Sequence, residues 1–237
     1  MKKFIYFNAL YITALPTIAF ANTVNFSQFI PKKFNLLEHH CQADLNKDDK
    51  KDCVLIIKDT KKSGWVNDPF KGMIDRNRRG IIILFKTDNG YQKILENKTL
   101  FASENEDGGV YFTPELYIET KNNKLLLKYG HGRYGHWSYT FDYRTINGKQ
   151  DFYLIGYDLS SNMGPYVNYT YSVNFLTHKF RHQMNIDQER ISEIPKLKTT
   201  WYDLPKQDLI KLSQIADLDE LGYNLDKQLY ELSDDNE

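Results

Sequence analysis

Three short polar turns, each set between apolar runs, constrain this chain more than any other feature. "GIIILFKTDNGYQKIL" places Asp88-Asn89-Gly90 between two such runs, and Asn-Gly accepts the positive φ that a tight hairpin turn needs. "LYIETKNNKLLLKYG" repeats the pattern around Asn122-Asn123, and "WSYTFDYRTINGKQDFYLIGYD" repeats it around Asn147-Gly148. Within "WSYTFDYR", Trp137, Tyr139, Phe141 and Tyr143 alternate with Ser138, Thr140, Asp142 and Arg144. A period of two puts the four aromatics on one face of a strand. Successive hairpins of this kind predict a mainly β chain: an antiparallel meander forming a sandwich or a partly closed barrel. The 17 Tyr and 14 Phe among 237 residues favour the same class, because aromatic rings suit pleated, half-buried surfaces.

"CVLIIKD" and "YTYSVNFL" read as further strands. "FNLLEHHC" fits a short helix or an irregular strand. "KKSGWVNDPFKGMIDRNRRG", with Gly64, Pro69 and Gly72, lacks periodicity and predicts a long loop. The β domain is expected over 22–183. Residues 184–237 then supply a polar linker and C-terminal helices packed on the β domain. There Asp203 is the expected cap, Pro205 the first turn, Leu209, Ile210, Leu212 and Ile215 a buried stripe continued by Leu218 and Leu221, and Gly222 the stop.

The first 21 residues have the form of a signal peptide. Lys2 and Lys3 precede an apolar stretch from about Phe4 to Ile18, and Ala19-Phe20-Ala21 supplies an A-x-A cleavage site. A periplasmic or secreted location is expected, with no membrane span after cleavage. Removing the signal leaves 29 basic against 31 acidic residues. Such a balance provides no field to gather nucleic acid. Cys41 and Cys53, the only two cysteines, can pair in an oxidising compartment. That pair is expected to stabilise the fold by roughly 2–3 kcal/mol through loop closure.

The cysteines bracket "CQADLNKDDKKDC". Its oxygens at Asp44, Asn46, Asp48 and Asp52 occupy loop positions one, three, five and nine counted from Asp44, an alternation that converges hard donors on one point and suits Ca²⁺. The backbone carbonyl of Lys50 would be the donor at position seven. The alternative is a solvated acidic turn whose side chains hydrogen-bond the loop backbone. The run "DLNKDDKKDCVLII" resembles the calcium loops of dockerin-like modules and of FG-GAP or VCBS-type repeats. It departs from them at Asp49, where Gly is usual, and at Leu55, where a helix-flanked loop would carry a bidentate Glu. The stretch from about Leu36 to Asp158 is also similar to a set of small secreted bacterial proteins. That resemblance implies a shared fold and export, and no reaction.

Other clusters could carry chemistry. In "YGHGRYGHWSY", His131, Arg133 and His136 form a candidate polar ligand site, Arg133 being suited to a carboxylate or phosphate. The two histidines are five apart, so on a regular strand they face opposite sides. "SENEDGGVY" gathers Glu104, Glu106 and Asp107, carboxylates of the kind that serve acid–base hydrolysis. His39-His40 beside Cys41 is a further weak metal motif. Neither a G-x-S-x-G elbow, a P-loop, a dinucleotide fingerprint nor H-E-x-x-H occurs. The sequence therefore predicts an exported, non-enzymatic binding or structural module, calcium-stabilised at its acidic loop. One concrete form is an inhibitor or immunity-type protein with a protein partner in the periplasm. The competing expectation is a hydrolase of cell-wall or glycan material.

Overall fold

The computed structural model describes residues 25–105, 113–187 and 194–234; the stretch expected to be a signal peptide lies outside them. Two antiparallel sheets stack into a sandwich. The first has four strands in the order β1 (Phe34–Ala43), β2 (Asp52–Asp59), β5 (Arg79–Thr87) and β6 (Gly90–Phe101). Between β2 and β5 the chain makes a small separate hairpin, β3 (Trp65–Asp68) and β4 (Gly72–Asp75). The second sheet is an uninterrupted meander of seven strands. These are β7 (Glu115–Lys121), β8 (Lys124–Gly130), β9 (Gly135–Ile146), β10 (Lys149–Met163), β11 (Tyr166–Asn174), β12 (Lys179–Asn185) and β13 (Leu197–Asp203). Its edges, β7 and β13, do not meet, so the sheet is open. One helix, α1 (Leu218–Asp234), closes the sandwich.

The predicted turns form because their residues tolerate left-handed backbone. Asn122 and Asn123 sit at φ 52° and 60°, and Asn147 and Gly148 at 52° and 73°, the dihedrals of a type I′ hairpin turn. The runs "CVLII" and "GIIILF" are continuous rather than alternating because β2 and β5 are the central strands of the first sheet and are covered on both faces. Val54, Ile56, Ile81 and Ile83 face the main core, shared with Leu125, Leu127, Tyr139, Phe141, Phe152 and Leu154 of the second sheet. Leu55, Ile57, Ile82 and Leu84 face a second cluster capped by Phe26, Phe29 and Ile30. Full burial of one such side chain contributes about 1.5–3 kcal/mol, so the main core is what holds the two sheets together. The four aromatics of "WSYTFDYR" all turn inward: Tyr139 and Phe141 are buried, and Trp137 and Tyr143 pack against them.

Three local expectations are corrected. Residues 61–80 hold the β3–β4 hairpin rather than an unbroken loop, its alternation too short to read. "LKTTWYD", inside the expected linker, is β13, registered on β12 from Lys179↔Asp203 to Asn185↔Leu197. Finally, the helix starts at Leu218, not after Asp203. Tertiary contacts override the helical stripe: the Leu154 N–H donates to Ile210 O at 2.8 Å, and Tyr153 pairs with Lys211. Asn97 Nδ2 then donates to Leu212 O (3.1 Å) and Ile215 O (2.7 Å). Asp217 is the real cap, its Oδ1 accepting from the Asp219 N–H at 2.9 Å. Gly222 is no stop. It lies inside α1, on the buried face with Leu218, Leu225 and Leu229, because a Cβ there would stand 2.3 Å from the Tyr139 hydroxyl.

Candidate functional site

Where α1 crosses the mouth of the sandwich, the two sheets leave a cavity of about 510 Å³. The segment just after β6 supplies Ala102 and Ser103. Strands β8 and β9 supply Tyr129, Trp137 and Tyr139, β10 and β11 supply Tyr157, Ser160, Ser161 and Tyr169, and α1 supplies Asp219, Tyr223 and Asp226. The volume lies within the range of small-ligand sites, and the lining of aromatic rings with a few polar groups has their usual character.

The strand register builds the aromatic wall. Tyr129 pairs with Trp137 across β8 and β9, and the rings stack at 5.3 Å and 20°. Tyr139 and Tyr157 are opposite each other on β9 and β10, 5.2 Å apart. Burial pushes the Tyr129, Tyr139 and Tyr157 hydroxyls far above the ordinary phenol range, and nearby carboxylates, Asp219 for Tyr129 and Asp226 for Tyr157, add to the effect. All three are therefore permanent donors. Tyr139 donates to Leu218 O at 3.0 Å, and Tyr157 donates to Asp226 Oδ1 at 2.7 Å. The Tyr129 side chain is equally buried, at 4% exposure, yet its hydroxyl has no hydrogen-bond partner among the described residues. Leaving such a donor unmade costs about 1–3 kcal/mol. Burial also raises the Asp226 carboxyl to about 6, against the opposing effect of the Tyr157 bond.

The glycine-rich segment borders this cavity. His131 and Tyr134 line it, and their rings lie 5.0 Å apart. The Arg133 guanidinium sits over the Tyr134 ring at 5.7 Å. His136 is exposed at the start of β9, opposite Gly130 and Ser160. A single 3₁₀ turn, Gly132–Tyr134, separates the histidines. Gly135 ends that turn at φ 117°, and a Cβ there would stand 1.8 Å from Ser160 O. Only glycine lets β9 approach β10 here, so this residue fixes one cavity wall.

Of the acidic group "ENED", Glu106 and Asp107 lie outside the described residues. Glu104 forms an ion pair with the buried Lys58 Nζ, which also lies 3.2 Å from Asp75 Oδ2. Arg79 Nε is 3.8 Å from Glu104 Oε2 and donates to Ala102 O at 2.8 Å. Glu104 is thus part of an ion-pair network beside the cavity, while its neighbour Ser103 lines the cavity together with His131.

The acidic loop lies elsewhere. Cys41 and Cys53 are disulfide-bonded, joining β1 to β2 at the loop's base. Inside it Asp44 accepts three backbone N–H groups, from Lys47 (2.6 Å), Asp48 (3.0 Å) and Asp49 (3.0 Å). Asn46 Oδ1 accepts from Asp48 N–H at 3.2 Å, and Asp48 Oδ1 from Lys50 N–H at 3.0 Å. Asp49 takes φ 64°, so it makes the left-handed turn usually given to glycine. Asp52 points inward. It is fully buried, and its two oxygens accept from Leu45 N–H (2.7 Å) and from Lys86 N–H on β5 (3.0 Å). Burial still raises its carboxyl above the ordinary range. Asn123 Nδ2 donates to Asp44 O at 2.6 Å and Lys50 pairs with Asp88 at 2.7 Å, tying the loop to two hairpin turns. No group of three or more His, Cys, Asp or Glu side chains among the described residues is arranged to hold a metal ion. His40 contacts Glu38 at 3.2 Å, and His39 packs against Phe26.

Sequence reasoning missed most of the cavity. Its tyrosines were legible as strand residues, but their convergence with α1 depends on contacts such as Tyr139–Leu218 and Tyr157–Asp226, 79 and 69 positions apart. Asp219 and Asp226 carried only a helical signal. No family model, no curated protein and no solved structure matches this chain.

Proposed function

We propose that this chain is an exported, non-enzymatic binding module whose ligand occupies the cavity between the sandwich and α1. The observation that carries the reading is the aromatic lining around a buried Tyr129 hydroxyl without a partner, since buried donors are almost always satisfied. One further fact supports it. The Cys41–Cys53 disulfide belongs to oxidising compartments, in keeping with the leader-like first 21 residues. No helix among the described residues is long and apolar enough to cross a membrane. An inhibitor or immunity-type role is one form of the reading, with the partner's side chain as the cavity's occupant.

The test is a fragment screen by saturation-transfer NMR. Fragments that bind the wild type should lose their signal in Ala102→Trp, which fills the cavity from the β6 side. Fragments that bind both proteins equally would refute the reading. Calcium binding at Asp44, Asn46 and Asp48 is a second part of the proposal, supported by the left-handed Asp49 at the glycine position. Calorimetric titration of the oxidised protein with millimolar calcium should then release or absorb heat, and a flat trace removes it.

A further inference from the structure

We infer that the ligand of this cavity is a saccharide, an uncharged polyhydroxylated ring; the inference rests on the cavity being the binding site. Three features of the lining point to that class. First, the formal charges are opposed and engaged within the protein. Asp219, Asp226 and Arg79 line one cavity. Asp226 accepts from Tyr157 at 2.7 Å, while Arg79 donates to Ala102 O and lies near Glu104. A cation would meet the arginine, and an anion would meet two carboxylates.

Second, apart from the His131 imidazole, the remaining polar side chains of the lining are hydroxyls. Ser160, Ser161 and Thr113 share the lining with the tyrosines. A hydroxyl both donates and accepts, which matches a ligand that presents several hydroxyls of its own. The buried Tyr129 hydroxyl needs an acceptor, and a sugar oxygen provides one without bringing a charge. A hydrocarbon ligand would leave that donor unmade and would strip water from both carboxylates.

Third, Trp137, backed on one side by the stacked Tyr129 ring, and the exposed Tyr223 of the lining offer flat apolar area for the C–H face of a pyranose. Amphipathic aromatics combine that area with a polar edge. Hydroxyl edge and apolar face together describe a sugar ring better than any purely polar or purely greasy molecule.

The experiment uses the fluorescence of Trp137. Trp65 and Trp201 are exposed at 49% and 62%, so a Trp65→Phe/Trp201→Phe background leaves Trp137 as the sole reporter at little cost to the fold. An unchanged melting temperature verifies that. The full chain is titrated with maltose, cellobiose, lactose and chitobiose, and with choline and succinate as charged probes. At least one disaccharide should give a saturable change, and Tyr129→Phe should weaken its affinity about fivefold, the effect of losing one neutral hydrogen bond. Saturation by choline or succinate alone overturns the saccharide class while leaving the binding site in place. Silence with every probe overturns the saccharide inference, and if the fragment screen is empty too, the binding reading fails with it. An affinity unchanged by Tyr129→Phe also overturns the inference.

Discussion

Asp52→Ala separates a structural strut from a metal ligand in one substitution. Asp52 is fully buried and accepts from two backbone N–H groups, those of Leu45 at 2.7 Å and Lys86 at 3.0 Å. Alanine leaves both donors without that acceptor. Each loss costs about 1–3 kcal/mol. One contribution runs the other way, because burial raises the Asp52 carboxyl and removing the charge removes that desolvation cost. The expected net loss is about 3 kcal/mol, a large part of the 5–15 kcal/mol typical of a whole domain. For a chain of this size it corresponds to a drop of roughly 6–12 °C in melting temperature. The assay is urea unfolding of the oxidised protein in EDTA, followed by tryptophan fluorescence, with the slope checked for constancy. A strut predicts the full loss in EDTA and the same loss in calcium. A loss below about 0.5 kcal/mol in EDTA, the range of ordinary surface substitutions, together with a large loss in calcium, would refute the reasoning and make Asp52 a ligand.

Other expectations follow from the same geometry. Gly222→Ala should destabilise the protein although alanine favours an isolated helix by about 1 kcal/mol, because its Cβ would displace the Tyr139 hydroxyl from Leu218 O; thermal unfolding checks the sign. Opening the disulfide with a reductant should lower stability by about 3 kcal/mol on loop-closure grounds, read as a shift in urea midpoint. Asp226 bears on pH. Its folded carboxyl is raised to about 6, so the folded state holds that proton more tightly than the unfolded chain. The resulting stability is fully present below the ordinary carboxylate range and is lost as pH rises through about 6. Wild type should therefore lose stability relative to Asp226→Asn between about pH 4 and 7, measured by paired urea titrations.

The fold was largely legible because its signals are local. Asn122-Asn123 and Asn147-Gly148 specify their turns within two residues, and the alternation in "WSYTFDYR" specifies which side of β9 is buried. The helix start was not legible. Leu209, Ile210, Leu212 and Ile215 have helical spacing, but backbone pairing with β10 and the Asn97 amide hold that stretch outside the helix. β13 escaped notice because an edge strand carries polar residues on its open side, and Thr199 and Trp201 are exposed. Among the candidate site residues, His131 does reach the cavity, whereas the acidic loop stands apart from it. The Tyr129 hydroxyl was invisible to pattern reading, since an unmet donor is defined by what three dimensions fail to bring near it.

The central claim is that the aromatic cavity under α1 is a binding site. Its most direct test is a chemical-shift titration of protein labelled with ¹³C-tyrosine, using the tightest-binding fragment or disaccharide. The account predicts saturable shifts of Tyr129, Tyr139 and Tyr157, with Tyr91, packed against Phe26 in the second cluster, unmoved. Shifts confined to Tyr91, with the cavity tyrosines unchanged at saturation, would contradict it.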